Sequence, residues 1–377
     1  MYFDYCATTP ISEEVLEAMR PFWQGDFGNP SSLHQYGRTA AQGIMNARNQ
    51  VAALLHANAE EIIFTSGATE ANNLALMGIM RPWEGAGGHL ITSAIEHHSV
   101  LHAANALEKM GCSVTYLPVD SRGMISSRDL RQAIRSETRM ISIMHVNNEI
   151  GTIQPLAEIG KIAAEQNIIF HCDAVQGIGL LDLDVRKLGI HLLSISAHKI
   201  YGPKGVGALY IQNGIKIQNL MYGGSQERGI RPGTENVPGI IGLGKAAELV
   251  QKNKHDNRKH VAELRDQLTR TLRSTIPNLV VNGPEGDLVC PHVLSLTFPG
   301  CVAEMMQIQL SMHDIAISLG SACNSKEIAP SHVLLAMGIT SANADATIRI
   351  SIGNETTQEE INKLAKILPD VASACKI

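Results

Sequence analysis

The sequence predicts an α/β fold with a mostly parallel sheet, followed by a smaller α+β unit. Two features of the 377-residue chain lead to this prediction. Through the first two thirds, short apolar runs rich in β-branched residues alternate with segments of helical spacing, as in sheets covered by helices on both faces. From about Asn236 the pattern changes to a long helical stretch and then to short strands and helices.

Seven strands are predicted in the larger unit, over residues 61–65, 89–93, 113–117, 140–146, 168–173, 192–196 and 206–211. Helices are predicted over residues 70–81, 100–110 and 156–166. In the smaller unit we expect a helical stretch to about Thr275 and strands over residues 279–281, 293–298 and 347–352. The predicted division is a large domain of residues 1–250 and a small domain of residues 251–377, with residues 1–15 packing against the small domain. The methionines of residues 305–312 are expected in the core.

The composition excludes several classes of protein. Hydrophobic residues make up 44% of the chain and charged residues 18%, as in globular enzymes. The formal net charge of −5 gives no basic surface for nucleic acid or lipid, and no apolar run is long enough to span a membrane. The 7 cysteines are scattered without a C-x-x-C pair, which argues against a disulfide framework and a structural zinc site. Since the first residues also lack the features of a secretory signal, we expect a cytoplasmic protein.

Side chains with useful chemistry follow three of the predicted strands, where ligands of α/β sheets bind. Residues 66–69 form a glycine turn before a helix, which suits a phosphate but also fits an ordinary helix start. Asp173 can stabilise a protonated heterocyclic nitrogen or cap a turn. Lys199 follows Ser196 and His198, where it can form a Schiff base or remain a solvated loop lysine. Together the three features match what pyridoxal phosphate requires.

Ten segments, in the same order along the chain, resemble the cysteine desulfurases of NifS/IscS type, in the long-loop group of the class V aminotransferase superfamily. The segments are residues 4–10 (DYCATTP), 28–37 (GNPSSLHQYG), 64–74 (FTSGATEANNL), 96–97 (EH), 145–151 (HVNNEIG), 173–176 (DAVQ), 194–210 (SISAHKIYGPKGVGALY), 223–236 (GGSQERGIRPGTEN), 318–325 (SLGSACNS) and 347–353 (TIRISIG). The resemblance implies fold type I of the pyridoxal-phosphate enzymes. It also implies removal of sulfur from L-cysteine, giving L-alanine and a persulfide on one cysteine.

The resemblance assigns roles around the cofactor. Lys199 would hold pyridoxal phosphate, Asp173 would pair with its pyridine nitrogen, and Gln176 would bond its ring hydroxyl. His97 would stack on the ring and assist proton transfer, and Asn148 would lie near the ring. The group expected to bind the phosphate consists of Ala68, Thr69, Ser196 and His198.

The resemblance also implies how substrate and partners are bound. Arg349 would hold the substrate carboxylate in a bidentate pair. Cys323, in a polar segment over residues 318–331 that is expected to form an exposed loop, would take the sulfur and pass it to an acceptor protein. Thr234 would reach the phosphate from the second subunit of a homodimer.

The sequence differs from the family at Cys6, Leu319 and Asn324, and we assign Cys6 no role. Because the chain ends at Ile377, soon after the last predicted helix, we expect a specialised sulfur acceptor. Iron–sulfur cluster biogenesis, tRNA thiolation and DNA phosphorothioation are the pathways considered.

Other functions remain possible from sequence alone. On the same scaffold they are a selenocysteine lyase or an aminotransferase, and a further alternative is a non-catalytic sulfur-relay or partner-binding module. Residues 239–245 (GIIGLGK) have P-loop spacing, but Ala246 replaces the required Ser or Thr. His98 and His102 have metal-ligand spacing without a third ligand nearby, so we expect neither a nucleotide nor a metal site.

Overall fold

The computed structural model describes residues 1–81, 87–319 and 330–376. Within these residues the larger sheet has seven strands: β1 (Ile62–Thr65), β2 (His89–Ser93), β3 (Ser113–Leu117), β4 (Thr138–Ser142), β5 (Ile169–Asp173), β6 (Leu192–Ser196) and β7 (Gly207–Ile211). Their order is β1-β7-β6-β5-β4-β2-β3, and neighbours run parallel except in the two pairs that include β7. The predicted mostly parallel, seven-stranded sheet is confirmed.

Helices cover both faces of this sheet. They are α1 (Glu13–Met19), α2 (Pro21–Gln24), α3 (Gln35–Leu55), α4 (Ala68–Met80), α5 (His98–Lys109), α6 (Ser127–Ala133) and α7 (Leu156–Glu165). Alternate residues of a strand point to opposite faces, so Ile62 and Phe64 join one hydrophobic core with α3 and α7. Ile63 between them joins the core formed with α4 and α5 on the other face. A run of consecutive apolar residues is therefore buried on both sides.

The predicted strand over residues 140–146 is wrong at its C-terminal end, because β4 ends at Ser142. The backbone N–H of Ile143 still donates to the carbonyl of His171 at 3.1 Å. The next N–H, that of Met144, donates to a side-chain oxygen of Glu96 at 3.0 Å, although the N–H of His145 still donates to the carbonyl of Asp173 at 2.8 Å. A side chain thus replaces the neighbouring strand as hydrogen-bond partner.

A second sheet contains β8 (Val280–Asn282), β9 (Val293–Thr297), β10 (Ser318–Leu319) and β11 (Thr347–Ser351), in the order β10-β11-β9-β8, with antiparallel pairing. The helices α9 (Ala303–Met312) and α12 (Gln358–Ala374) pack on this sheet. The short helices α10 (His332–Ala336) and α11 (Ser341–Ala344) form a separate core with Ile95, Met144 and Ile150. Phe3 is buried in the core of this sheet. Isolated bridges join Tyr2 to Ala316 and Asp4 to Ser351, so the N-terminal segment lies along the smaller sheet.

One long helix, α8 (Val237–Thr275), continues through the predicted boundary at residue 250. Its first half contributes Leu243 and Val250 to a core of the larger sheet, and its second half contributes Leu264 and Leu268 to the core of the smaller sheet. The division into domains of residues 1–250 and 251–377 stays a prediction. Although α8 has 39 residues, neither it nor any other helix in the described part of the chain is long and apolar enough to cross a membrane.

Residues 239–245, which have P-loop spacing, lie within α8 rather than in a loop before a helix. Their glycines allow close packing instead. A Cβ atom on Gly244 would lie 2.5 Å from the Cα of Ala47 in α3. Glycine is therefore required where the two helix backbones approach each other.

The expectation that the methionines of residues 305–312 are core residues is wrong for two of the three. Met306 is fully buried, but Met305 and Met312 are 47% and 74% exposed on α9. Ala303 and Leu310 share the buried side of the helix with Met306. Because the helical repeat places Met305 and Met312 away from that side, their apolar character does not bury them.

Candidate active site

Ten of the predicted site residues line one cavity of about 580 Å³, at the edge where β1, β5 and β6 end. They are Ala68, Thr69, His97, Asn148, Asp173, Gln176, Ser196, His198, Lys199 and Arg349. Thr234 is exposed and does not line this cavity in its own chain. Cys323 lies outside the described residues, as do residues 320–329 of the predicted loop.

The turn after β1 gives the cavity a set of backbone donors. Gly67 precedes the first residue of α4 and has φ +151° and ψ 178°, a conformation that is essentially restricted to glycine. The following N–H groups, of Ala68 and Thr69, belong to the first turn of a 13-residue helix. Such a helix start carries partial positive charge, which suits an anion. The N–H of Ser66 is already held by the carboxylate of Glu70 at 2.7 Å.

Asp173 is held in place from two sides at the end of β5. One carboxylate oxygen accepts a hydrogen bond from Asn72 Nδ2 at 2.7 Å, and the other accepts from the N–H of Val175 at 3.1 Å. The residue is 6% exposed. The second bond is the turn cap that the sequence suggested as one alternative. Asp173 also lines the cavity, so the same side chain caps the turn and presents a carboxylate to the cavity. Asn72 was not identified from the sequence.

The amine of Lys199 is held by the N-terminal segment. Nζ donates hydrogen bonds to the carbonyl oxygen of Cys6 and, at 2.8 Å, to that of Ala7. The N–H of Thr9 in turn donates to the carbonyl of His198 at 2.9 Å. The Cys6 thiol is buried, and burial raises its pKa. Cys6 therefore contributes its backbone carbonyl, a role that no side-chain pattern in the sequence reveals.

His97 is held as a neutral imidazole. Its Nδ1 accepts a hydrogen bond from the N–H of Ser99 at 3.1 Å, so a proton on the neutral ring is on Nε2. Burial lowers the pKa of His97, while the charge of Asp173 raises it and that of Lys199 lowers it. His198 is also kept neutral, since burial and then the charges of Lys199 and Lys204 lower its pKa to about 4. Both rings thus act as neutral donors or acceptors near pH 7.

Gln176 is oriented by a short chain of side chains. Its Oε1 lies 3.0 Å from Nε2 of His292, and its Nε2 donates to the carbonyl of Cys6 at 3.1 Å. His292 Nδ1 lies 3.2 Å from the sulfur of Cys290. Because the amide oxygen accepts from His292 and one amide N–H donates to Cys6, the second N–H of Gln176 is left for another partner.

Arg349, on β11, brings the smaller sheet to the cavity. Its Nη1 donates to the carbonyl of Asn148 at 3.0 Å, and its Nη2 donates to Asp4 at 2.9 Å. The residue is 3% exposed, and Nε is buried without a hydrogen-bond partner among the described residues. An unsatisfied buried N–H of a charged group favours binding of an anionic oxygen.

These groups fit pyridoxal phosphate. The cavity combines a helix start for the phosphate, a carboxylate for a protonated ring nitrogen, and a positioned lysine amine. Arg349 adds a site for an α-carboxylate at the other end.

Comparison with known proteins agrees with this chemistry. The Aminotransferase class-V family model matches residues 1–364. A relative from Clostridium botulinum (strain Hall), named "Cysteine desulfurase IscS", is 48% identical over 372 residues, which cover 98% of this chain and 94% of the relative. A solved structure titled "NIFS-LIKE PROTEIN" has a TM-score of 0.93 and 38% identity, with 99% of both chains covered. Another, titled "SspA in complex with cysteine", has a TM-score of 0.83 and 40% identity, covering 94% of this chain and 99% of that one.

The family match covers nearly the whole chain, and the ten predicted residues that the cavity gathers come from both sheets of the fold. The chain therefore belongs to the class-V aminotransferase family.

Proposed function

We propose that this chain is a pyridoxal 5′-phosphate-dependent L-cysteine desulfurase. The observation that carries the proposal is the single cavity that contains a positioned lysine, a held carboxylate, a helix start and an incompletely paired arginine. Relatives that bear the desulfurase name, over nearly the full chain, support the choice of L-cysteine as substrate. A solved relative bound to cysteine supports it further.

When bound, pyridoxal phosphate supplies a conjugated ring that withdraws electrons from the bonds at Cα of the substrate. In this proposal Lys199 holds the cofactor through its amine, and Asp173 keeps a proton on the ring nitrogen. The second amide N–H of Gln176 bonds the ring hydroxyl, and Asn148 lies beside the ring. The phosphate is bound by the group Ala68, Thr69, Ser196 and His198.

His97 and Arg349 act on the substrate. Nε2 of His97 carries the proton of the neutral ring, so in this proposal it donates that proton to the substrate and then takes one back. Arg349 binds the substrate carboxylate through Nε and one terminal nitrogen. Both residues are anchored by the protein, so the substrate is oriented before reaction.

The sulfur is transferred to Cys323. Its thiolate bonds to the sulfur of L-cysteine, the bond from that sulfur to carbon breaks, and the carbon takes up a proton to become L-alanine. One thiol and one cysteine thus give one persulfide and one alanine, without an external oxidant. The persulfide is passed to an acceptor protein, and Thr234 completes the phosphate site of a second copy in a homodimer.

The test is anaerobic turnover of the purified holoenzyme with L-cysteine and a reductant, measuring sulfide and alanine together. We expect equal amounts of both from the wild type and neither from Cys323→Ser. Cys301→Ser is the matched control, since Cys301 is a partly exposed cysteine that lies against the carbonyl of Ala372. It should keep wild-type turnover.

Three further results would contradict the proposal. Full activity of Cys323→Ser would remove the persulfide route, and a keto acid product would indicate an aminotransferase. Turnover of selenocysteine but not of cysteine would indicate a selenocysteine lyase. Lys199→Ala should lose the visible absorbance of the bound cofactor, and an unchanged spectrum would refute the assignment of Lys199.

A further inference from the structure

Glu149 joins two parts of the molecule that the proposed mechanism treats separately. It is 6% exposed, and one of its carboxylate oxygens accepts a hydrogen bond from Oγ of Ser331. Its charge also interacts with Arg349, which donates a hydrogen bond to the carbonyl of the preceding residue, Asn148. The carboxylate therefore interacts electrostatically with Arg349 and is hydrogen-bonded to Ser331.

Ser331 is a structural anchor. It directly precedes α10, and its Oγ accepts a hydrogen bond from the N–H of Leu334 at 3.2 Å. Such a side-chain cap stabilises the first turn of a helix. Ser331 follows Pro330, the first described residue after the segment that contains Cys323. The Glu149–Ser331 bond thus holds the start of α10.

Glu149 is poised between its two protonation states. Burial raises its pKa to about 7, while the hydrogen bond from Ser331 and the charge of Arg349 oppose that rise. The charged group that acts on it is Arg349 on β11, whose guanidinium also pairs with Asp4. A carboxylate that binds to Arg349 offsets the positive charge that lowers the pKa of Glu149. The pKa then rises, and Glu149 takes up a proton near neutral pH.

We propose that Glu149 is a positioning residue that couples the binding of a substrate carboxylate at Arg349 to the first turn of α10. The inference rests on the carboxylate-binding role given to Arg349 under the proposed function. Protonation converts a charge-assisted Ser331–Glu149 bond into a weaker neutral one. By linkage, ionised Glu149 weakens carboxylate binding to the same extent.

Binding measurements on the holoenzyme test the coupling. L-Alanine and L-alaninol share an amine, but only alanine has a carboxylate, so the ratio of their dissociation constants isolates the contribution of that group. Both are titrated by cofactor absorbance at pH 6 and pH 8. If substrate binding raises the pKa of Glu149 by about one unit, the preference for alanine falls about fivefold between these pH values in the wild type. In Glu149→Gln the preference for alanine should be the same at pH 6 and pH 8, because residue 149 no longer ionises.

Hydrogen exchange provides a second readout that does not depend on turnover. Alanine should speed exchange of the Leu334 amide in the wild type, because the anchor at Ser331 weakens. It should not do so in Glu149→Gln, and alaninol should have no effect in either protein. Glu96→Gln is the matched control: Glu96 is another buried carboxyl, but the charge that acts on it is that of Asp173 rather than that of Arg349. It should keep the wild-type pH dependence of the ratio.

The outcomes separate the inference from the function on which it rests. An equal preference for alanine in the wild type and Glu149→Gln at pH 8 would overturn the coupling alone. A wild type that does not distinguish alanine from alaninol would overturn it together with the role of Arg349. If Glu149→Gln does not fold, Ser331→Ala serves instead. Removing this hydroxyl should move the fall in preference to higher pH, and an unmoved profile would also overturn the coupling.

Discussion

Replacing Arg48 by methionine should destabilise the fold strongly, because it leaves a buried carboxylate without its cation. Arg48, in α3, makes a bidentate pair with Glu227 at 2.8 and 2.6 Å. The side chains are 13% and 3% exposed. Glu227 and its neighbour Arg228 have φ angles of +45° and +59°, so this pair fixes two consecutive residues in the left-handed region.

The size of the effect follows from burial. Breaking a buried ion pair by removing one partner costs about 3–5 kcal/mol. The N–H of Phe64 still donates to Glu227 at 2.8 Å in the variant, so we expect the lower end, about 3 kcal/mol. An unfolding entropy of about 2.1 cal/mol/K per residue gives about 0.8 kcal/mol/K for the 377 residues, and thus a fall in Tm of about 4 °C.

The assay is differential scanning calorimetry at fixed protein and cofactor concentrations, with the double variant Arg48→Met/Glu227→Gln as the comparison. Removing the charge as well should recover part of the lost stability, because no unpaired carboxylate remains. A single variant that melts within about 1 °C of the wild type would refute the reasoning. So would a double variant whose Tm falls by the sum of the falls measured for Arg48→Met and Glu227→Gln alone.

Three further outcomes are expected. Asn72→Ala removes the 2.7 Å bond to Asp173 and should weaken cofactor binding about tenfold in an absorbance titration of apoenzyme. Burial raises the pKa of Glu96 to about 8, so the stability that its protonated form contributes is lost as pH rises through 8. The Tm of Glu96→Gln relative to wild type should therefore rise between pH 6 and pH 9. Gly244→Val should lower the free energy of unfolding by about 2 kcal/mol or more, and the Tm with it, because its Cβ would lie 2.5 Å from the Cα of Ala47.

Each of these predictions has a distinct contrary result. Cofactor affinity of Asn72→Ala equal to that of the wild type would mean that Asp173 is positioned by its backbone alone. A Tm difference for Glu96→Gln that is constant with pH would show that this carboxyl does not titrate in the range. For the glycine, Gly25→Ala is the control, because its Cβ would meet only the carbonyl of Pro21 at 3.8 Å.

Much of the site could be predicted because its residues follow strands. Parallel strands bring their carboxyl ends to one edge, so Asp173 and Lys199 were expected near each other from local pattern alone. The apolar runs before them are buried except for the half-buried Ile169 at the start of β5, as the composition of those runs indicates. The assignment of chemistry to each residue came from the resemblance to a family.

What the sequence did not indicate depends on contacts between distant segments. The carbonyl of Cys6 accepts a hydrogen bond from Lys199, 193 positions away. Every residue has a backbone carbonyl, so the residue type gives no sign of this role. Asn72 meets Asp173 across 101 positions. The early end of β4 has the same origin, since the Glu96 carboxylate takes the N–H of Met144. Periodicity describes neighbours in the chain and carries no information about such partners.

The long helix α8 has a consequence for how the site meets its substrate. Asp173 and Lys199 belong to the part built on the larger sheet, whereas Arg349 lies on β11 of the smaller one. A continuous helix of 39 residues, about 58 Å at 1.5 Å per residue, has its ends embedded in the cores of both. Such a rod resists a hinge between them. The separation between the amine of Lys199 and the guanidinium of Arg349 is thus set during folding. If they bind the cofactor and the substrate carboxylate as we propose, this fixed distance selects substrates of the length of an α-amino acid.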